Sequence, residues 1–295
     1  MSESSTVPVS AGDRLQKVAV LGVGVLGSEI AYQTAYSGFA VTVYDISDEA
    51  LALAKERFTG FATAHPAMVP GVDAAKAAAV PEAITYTTDL ATAVSDADLV
   101  IEAAPEYLEL KRSIFEKIGP LAPEKTIFAS NSSTLLPSDI KDFTDRPDRY
   151  LHLHFSNQIW FRNIAEVMGS PDTDPAVYQR VVAFAEQIGM VPIRVHKERS
   201  GYVLNSLLVP FLQAATSVFI NGVADPETVD AAWRIGAGAP IGPFQSIDLI
   251  GLNTVYAVSV TSEDPDQRRF AEHIKEHYID QGKLGVATGE GFYKY

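Results

Sequence analysis

A short apolar run, Lys17-Val18-Ala19-Val20-Leu21, leads directly into Gly22-Val23-Gly24-Val25-Leu26-Gly27, and this junction constrains the fold more than any other stretch. The run lacks polar alternation, as in a strand covered on both faces of a parallel sheet. Residues 28–37 are small and apolar and suit a helix packed on that sheet, closed by Gly38. The next strand candidate, residues 40–44, ends at Asp45, 21 positions beyond Gly24. In that context each glycine has a purpose. Gly22 permits the tight turn, Gly24 lets backbone approach a pyrophosphate, and Gly27 lets the helix sit close to the strand. The helix N-terminus offers unpaired N–H groups to phosphate. Gly22, Val23, Gly24, Val25, Leu26, Gly27 and Asp45 are therefore expected to bind a dinucleotide. Asp45 can accept from both adenosine ribose hydroxyls and would repel a 2′-phosphate, which favours NAD over NADP. The same loop can also hold FAD, the lesser alternative.

Residues 48–80 read as an Ala-rich helical hairpin broken at His65-Pro66 and Pro70-Gly71. Further strands are expected at residues 84–87, 97–102, 126–129, 150–155, 164–168 and 190–195, with helices at 108–118 and 175–188 between them. That alternation implies a Rossmann-type, doubly wound, mostly parallel α/β sheet. Beyond residue 199 the pattern turns helical, with segments at 202–221, 226–235 and 266–281. The expected division is a flexible tail at 1–15, a dinucleotide-binding domain at 16–199, and a smaller all-α domain at 200–295 that completes the substrate site and dimerises. The helix at 202–221 is apolar on most faces and needs cover from its own domain or a second copy, so a homodimer is expected.

Composition narrows the function classes. A net charge of −14 leaves no basic stripe for nucleic acid and would repel small polyanions at long range. No apolar run approaches the roughly 18 residues of a membrane span. The chain has no cysteine, which removes disulfides, thiolate metal sites and a Cys nucleophile; no metal is called for. A cytoplasmic protein is expected.

Two segments carry chemistry: Ser130-Asn131-Ser132-Ser133-Thr134-Leu135 after one strand, and His154-Phe155-Ser156-Asn157 at the end of another, with Glu166 on the strand that follows. Ligands in open α/β sheets bind beyond the carboxyl ends of strands, which puts both segments beside the dinucleotide. Oxidising a hydroxyl needs a group that takes a proton as hydride leaves, and neutral histidine suits this near pH 7. A carboxylate behind the imidazole would fix its tautomer. The plainer readings are a turn for the serines, a hydrogen-bonded structural residue for the histidine and a surface charge for Glu166. His152 points to the same strand face as His154, so residue pattern alone leaves the base undecided.

From Val18 to Tyr295 the chain resembles the 3-hydroxyacyl-CoA dehydrogenase family, and within it 3-hydroxybutyryl-CoA dehydrogenases. The resemblance is carried by VLGVGVLGSEIA, IEAAPE with a later Lys, IFASNSSTL, LHLHFSNQIWFRNIAEVM, SGYVLNSLLVPFL, GAGAPIGPF and GEGFYKY, in that order. It implies that His154 is the catalytic histidine and Glu166 its partner carboxylate. Ser133 would contact both the substrate hydroxyl and the nicotinamide, and Asn205 would complete the substrate site from the helical domain. Asp45, Glu106, Lys111 and Asn157 would contact NAD; without the resemblance Glu106 and Lys111 read as a solvated helix-start pair. It also implies a place in fatty acid metabolism.

The match has departures. After His-Phe the family usually reads Phe-Asn-Pro-x-Pro, where this chain has Ser156-Asn157-Gln158-Ile159-Trp160, then Phe161 and Arg162. His152 stands where Gly is common. Phe61 and Met68 occupy hairpin positions that normally help grip the CoA diphosphate, and only Lys55, Arg57 and Lys76 are basic there. The first expectation is NAD-dependent oxidation of a short-chain (S)-3-hydroxyacyl-CoA to the 3-ketoacyl-CoA, and the reverse. The second is a free 3-hydroxy acid or small alcohol, as in relatives acting on gulonate or carnitine, with Arg162 able to pair a carboxylate. The third is a non-catalytic NAD-binding protein, as crystallin relatives illustrate.

Overall fold

The structure is a computed structural model that describes residues 15–295, so the tail expected at 1–15 lies almost wholly outside the described residues. The chain divides into two compact units, one ending at Val203 and one running from Leu204 to Tyr295.

The first unit is built on eight strands: β1 (Lys17–Leu21), β2 (Ala40–Tyr44), β3 (Thr85–Thr87), β4 (Leu99–Glu102), β5 (Ile127–Ser130), β6 (Tyr150–Phe155), β7 (Ile164–Gly169) and β8 (Val191–Val195). Their order across the sheet is β3-β2-β1-β4-β5-β6-β7-β8, parallel throughout except for the β6–β7 pair. Helices α1 (Val25–Tyr36), α2 (Asp48–Met68), α3 (Ala74–Ala83), α4 (Leu90–Val94), α5 (Leu108–Ile118), α6 (Pro137–Ile140) and α7 (Pro175–Gln187) connect them. Two apolar clusters cover the sheet. One includes Val18, Val20, Ile30 and Val181; the other includes Ala19, Leu21, Phe115 and Tyr150. Alternate residues of β1 thus serve opposite cores, and its apolar run has no polar face.

The hairpin departs from the expectation in one place. His65-Pro66 does not break α2, which continues through Pro66 to Met68. A proline this close to a helix end forfeits one backbone bond, and Val69 N–H still closes the last turn on His65 C=O at 3.0 Å. The chain reverses at Pro70-Gly71, where Gly71 has φ 86°, and Asp73 caps α3 by accepting from the Ala75 and Lys76 amides at 2.8 and 3.1 Å.

The second unit contains α8 (Leu204–Ile220), α9 (Pro226–Ala237), α10 (Pro243–Ile250), α11 (Leu252–Ser259) and α12 (Pro265–His277). Phe244, Ile247, Leu252, Phe270 and Ile274 form its core, with Phe219 and Phe292 packed against them. Two buried carboxylates tie down the C-terminal segment. Asp248 accepts from the Phe292 and Tyr293 amides, each at 2.9 Å, while Asp230 accepts from the Phe244 amide and the Tyr293 hydroxyl at 2.8 and 2.9 Å. No helix among the described residues is long and apolar enough to cross a membrane.

Candidate active site

The glycine loop closes β1 onto α1 as the spacing predicts. Gly22 has φ 95°, and a Cβ there would lie 2.8 Å from the Ala103 carbonyl oxygen. A Cβ on Gly27 would come within 2.0 Å of the Gly22 oxygen, so that position admits no side chain. Gly24 differs: a Cβ there would meet nothing within 4 Å. The loop therefore presents bare backbone to open space. No side chain caps the N-terminus of α1, and Val25 is exposed. Asp45 accepts from the Val23 amide at 2.9 Å and the Ile46 amide at 2.8 Å, which holds its carboxylate at the loop's edge. Arg57 of α2 donates to the Val23 carbonyl at 3.0 Å. Open backbone donors, a positive helix end and a half-buried carboxylate are the donor and acceptor set a dinucleotide requires.

Near the carboxyl ends of β5 and β6 and the start of antiparallel β7 lies a line of polar side chains. His154 and Glu166 are register partners across the antiparallel β6–β7 pair, which puts both side chains on one face. Glu166 Oε2 lies 3.0 Å from His154 Nδ1, and Ser133 Oγ lies 3.1 Å from His154 Nε2. His154 and Glu166 are both buried. With Nδ1–H donating to the carboxylate, Nε2 keeps its lone pair and faces the serine. Val203 N–H donates to Glu166 Oε1 at 3.0 Å, so the carboxylate is held at both oxygens.

His152, one pleat earlier on the same face, sits apart from this line. It is wholly buried between the hydroxyls of Tyr150 and Tyr202, each 3.0 Å away. Burial first, with the Lys111 charge adding to it, pushes its pKa down to about 3. A neutral imidazole wholly buried between two tyrosine hydroxyls is structural, whereas His154 carries a carboxylate behind one nitrogen and a serine at the other; the geometry thus separates the two histidines that residue pattern left equivalent.

Glu106 and Lys111 lie under the serine loop. One oxygen of Glu106 accepts from Ser132 Oγ at 2.6 Å and from the Ser133 amide, Thr134 amide and Thr134 Oγ1, each at 2.9 Å. Burial alone would raise its carboxyl, but the bonds from Ser132 and Thr134 and the Lys111 charge outweigh it and hold the pKa at about 2. Lys111 is 1% exposed and donates to Glu102 at 2.7 Å and to the Ala104 carbonyl at 3.0 Å, with Glu106 at 3.3 Å. Lys111 is thus buried rather than solvated, while Glu106, though exposed, holds the loop that carries Ser133. Asn157 is exposed in the loop after β6. That loop is anchored by Glu29 of α1, which accepts from the Gln158 and Ile159 amides at 2.9 and 3.2 Å. Asn205 stands at the second residue of α8, in the second unit.

Sequence reasoning did not single out Tyr202, Glu102 or Glu29. The available signals were slight: a tyrosine directly after Gly201, and acidic residues within otherwise apolar elements.

The family's NAD binding domain matches residues 17–199 and its C-terminal domain matches residues 201–295. The chain belongs to the 3-hydroxyacyl-CoA dehydrogenase family. It is an NAD-dependent oxidoreductase, and the glycine loop described above fits that cofactor. A rat relative, named hydroxyacyl-coenzyme A dehydrogenase, mitochondrial, is 35% identical over 95% of this chain and 91% of its own length. The 3-hydroxybutyryl-CoA dehydrogenase of Clostridioides difficile is 32% identical over 95% of this chain and 99% of that protein. Among solved structures, a diketoreductase described as acting on dicarbonyl compounds is similar at 59% identity and TM-score 0.93, covering 96% of this chain and 99% of its own.

Proposed function

We propose that the protein interconverts a hydroxyl and a ketone at the carbon β to a carbonyl group. The observation that carries this reading is the continuous line Ser133–His154–Glu166, with one imidazole nitrogen oriented by a carboxylate and the other open to a hydroxyl. Bound NAD supplies the hydride acceptor. His154 Nε2 takes the hydroxyl proton, Glu166 stabilises the imidazolium that results, and Ser133 Oγ orients the substrate oxygen. In the reductive direction His154 returns the proton. The glycine loop and Asp45 hold the dinucleotide, while Glu106 and Lys111 act by fixing the Ser132–Thr134 loop against it.

For the substrate we place small carrier-free 3-hydroxy or dicarbonyl compounds first. The three basic residues of the α2–α3 hairpin are engaged: Lys55 with Glu82 at 3.7 Å, Arg57 with the Val23 carbonyl, and Lys76 over the Tyr36 ring at 4.7 Å. The hairpin instead packs aromatic residues on the loop after β6, with His65 stacked on Trp160 at 4.8 Å and Phe61 edge-on at 5.1 Å. These features and the diketoreductase likeness reverse the order expected from sequence. The CoA thioester stays as the second reading, favoured by the names of the rat and Clostridioides relatives. The test is kcat/KM with NADH for pentane-2,4-dione and acetoacetate against acetoacetyl-CoA. At least about tenfold preference for a carrier-free compound is expected; the opposite preference restores the thioester.

Two further expectations belong to this reading. Replacing Asp45 with serine removes the ribose acceptor and the repulsion toward a 2′-phosphate. NADH binding should weaken about tenfold and the preference over NADPH should narrow, read by fluorescence titration of each nucleotide. The protein also acts as a homodimer, supported by the apolar side chains that the second unit leaves exposed on and near α8, including Leu207, Val223 and Ile235.

A further inference from the structure

Residues 200–203 close the first unit, and Tyr202 within them is fully buried with φ 51°. A bulky side chain rarely adopts this left-handed conformation, which persists only where surrounding contacts enforce it. Here it has two results. The phenol ring lies flat against the His154 imidazole, with centroids 4.5 Å and planes 13° apart. The following amide, Val203 N–H, donates to Glu166 Oε1 at 3.0 Å. Consecutive residues of one turn thus hold both members of the His154–Glu166 pair.

The hydroxyl end is equally constrained. Tyr202 OH donates to the Ser132 carbonyl at 2.6 Å, which uses its only proton. Toward His152, 3.0 Å away, the phenol oxygen therefore accepts, and Nδ1–H of His152 donates. Nε2 of His152 is left with its lone pair and accepts from the Tyr150 hydroxyl at 3.0 Å. A single tautomer satisfies the whole buried chain. It ends on the carbonyl of Ser132, the residue directly before Ser133.

We infer that Tyr202, pinned by His152 and Ser132, is a positioning residue that fixes the plane of the His154 imidazole between Ser133 and Glu166. Hydrogen bonds at Nδ1 and Nε2 set the direction of the ring but resist rocking about the axis through them poorly; a flat aromatic partner blocks that motion. The ring face also favours the imidazolium that forms as the substrate hydroxyl loses its proton. This inference rests on His154 being the base.

The experiment compares wild type with Tyr202→Leu, Tyr202→Phe and His154→Ala, using NADH with acetoacetyl-CoA and with pentane-2,4-dione. Tyr202→Leu should lower kcat by about 30-fold or more, while KM and the NADH Kd move less than about threefold. Tyr202→Phe keeps the aromatic face and should return kcat to within about fivefold of wild type. The isotope effect from 4-deuterated NADH should rise in Tyr202→Leu, because the chemical step has slowed. Tyr202→Met fills the volume without an aromatic face and carries the same expectation should the leucine variant lose NADH binding. Wild-type kcat in the leucine and methionine variants, or equal losses in the leucine and phenylalanine variants, overturns the assignment of Tyr202. Retained turnover in His154→Ala overturns the base on which it rests.

Discussion

Replacing His154 with alanine should lower kcat by about 10³–10⁴-fold while the NADH Kd stays within about twofold. The separation of the two readouts follows from where the residue sits. His154 is the penultimate residue of β6 and meets Ser133 at 3.1 Å and Glu166 at 3.0 Å, whereas the proposed dinucleotide surface is Asp45 and the backbone of the loop between β1 and α1. Alanine removes the proton acceptor without touching that loop. Glu166→Gln should cost less, about 10–10²-fold, because an amide oxygen can still accept from Nδ1 but offers no charge to the imidazolium. Stopped-flow turnover and fluorescence titration on the same preparations check both. Near-normal turnover in His154→Ala would remove the proposed chemistry, since His152, the other imidazole on that face, is wholly buried between two tyrosine hydroxyls.

The dinucleotide loop was legible in the sequence because its logic is local. Strand, glycines, helix and Asp45 all fall within residues 17–45; Gly22 and Gly27 answer steric demands that their neighbours impose, while Gly24 leaves the backbone open. The pairing of His154 with Glu166 was raised by the residues as one reading beside His152 and was singled out only through resemblance. It depends on β6 and β7 being the one antiparallel pair in a parallel sheet, and no residue in either strand announces that. The two histidines of β6 could not be told apart because they share a face at a period of two. What separates them is Tyr202, 50 residues away, which binds one by its hydroxyl and covers the other with its ring. Lys111 and Glu106 misled a local reading for a similar reason. Charged residues around a helix start look solvated until the fold places Glu102 and the serine loop over them. The helix through Pro66 shows the opposite limit: a strong local breaker counts for little when the helix is ending anyway.

The burial of His152 makes stability depend on pH in a particular direction. Its pKa is about 3 in the folded protein, against about 6.5 in an unfolded chain. Below pH 6.5 the unfolded chain takes up a proton that the native state refuses, so acidification favours unfolding until the pH falls through about 3. The contribution is nearly absent at pH 7 and amounts to about 2 kcal/mol lost by pH 5. The first unit would feel this as a fall in melting temperature of several degrees. Two effects combine here: the ring is removed from water, and its neighbours are hydroxyls that a neutral imidazole already satisfies, so a second N–H would have no acceptor at Tyr150 except by reversing that hydroxyl. Glu106 nearby favours the charged form, yet burial and the Lys111 charge prevail. His152→Gln supplies one donor and one acceptor without a titrating group. Urea unfolding of both proteins at pH 7 and pH 5 should therefore show the wild type losing about 2 kcal/mol more than the variant over that interval. Parallel losses would mean that protonation of His152 is not linked to folding, and that the hydroxyl–imidazole–hydroxyl chain opens to solvent in the native protein.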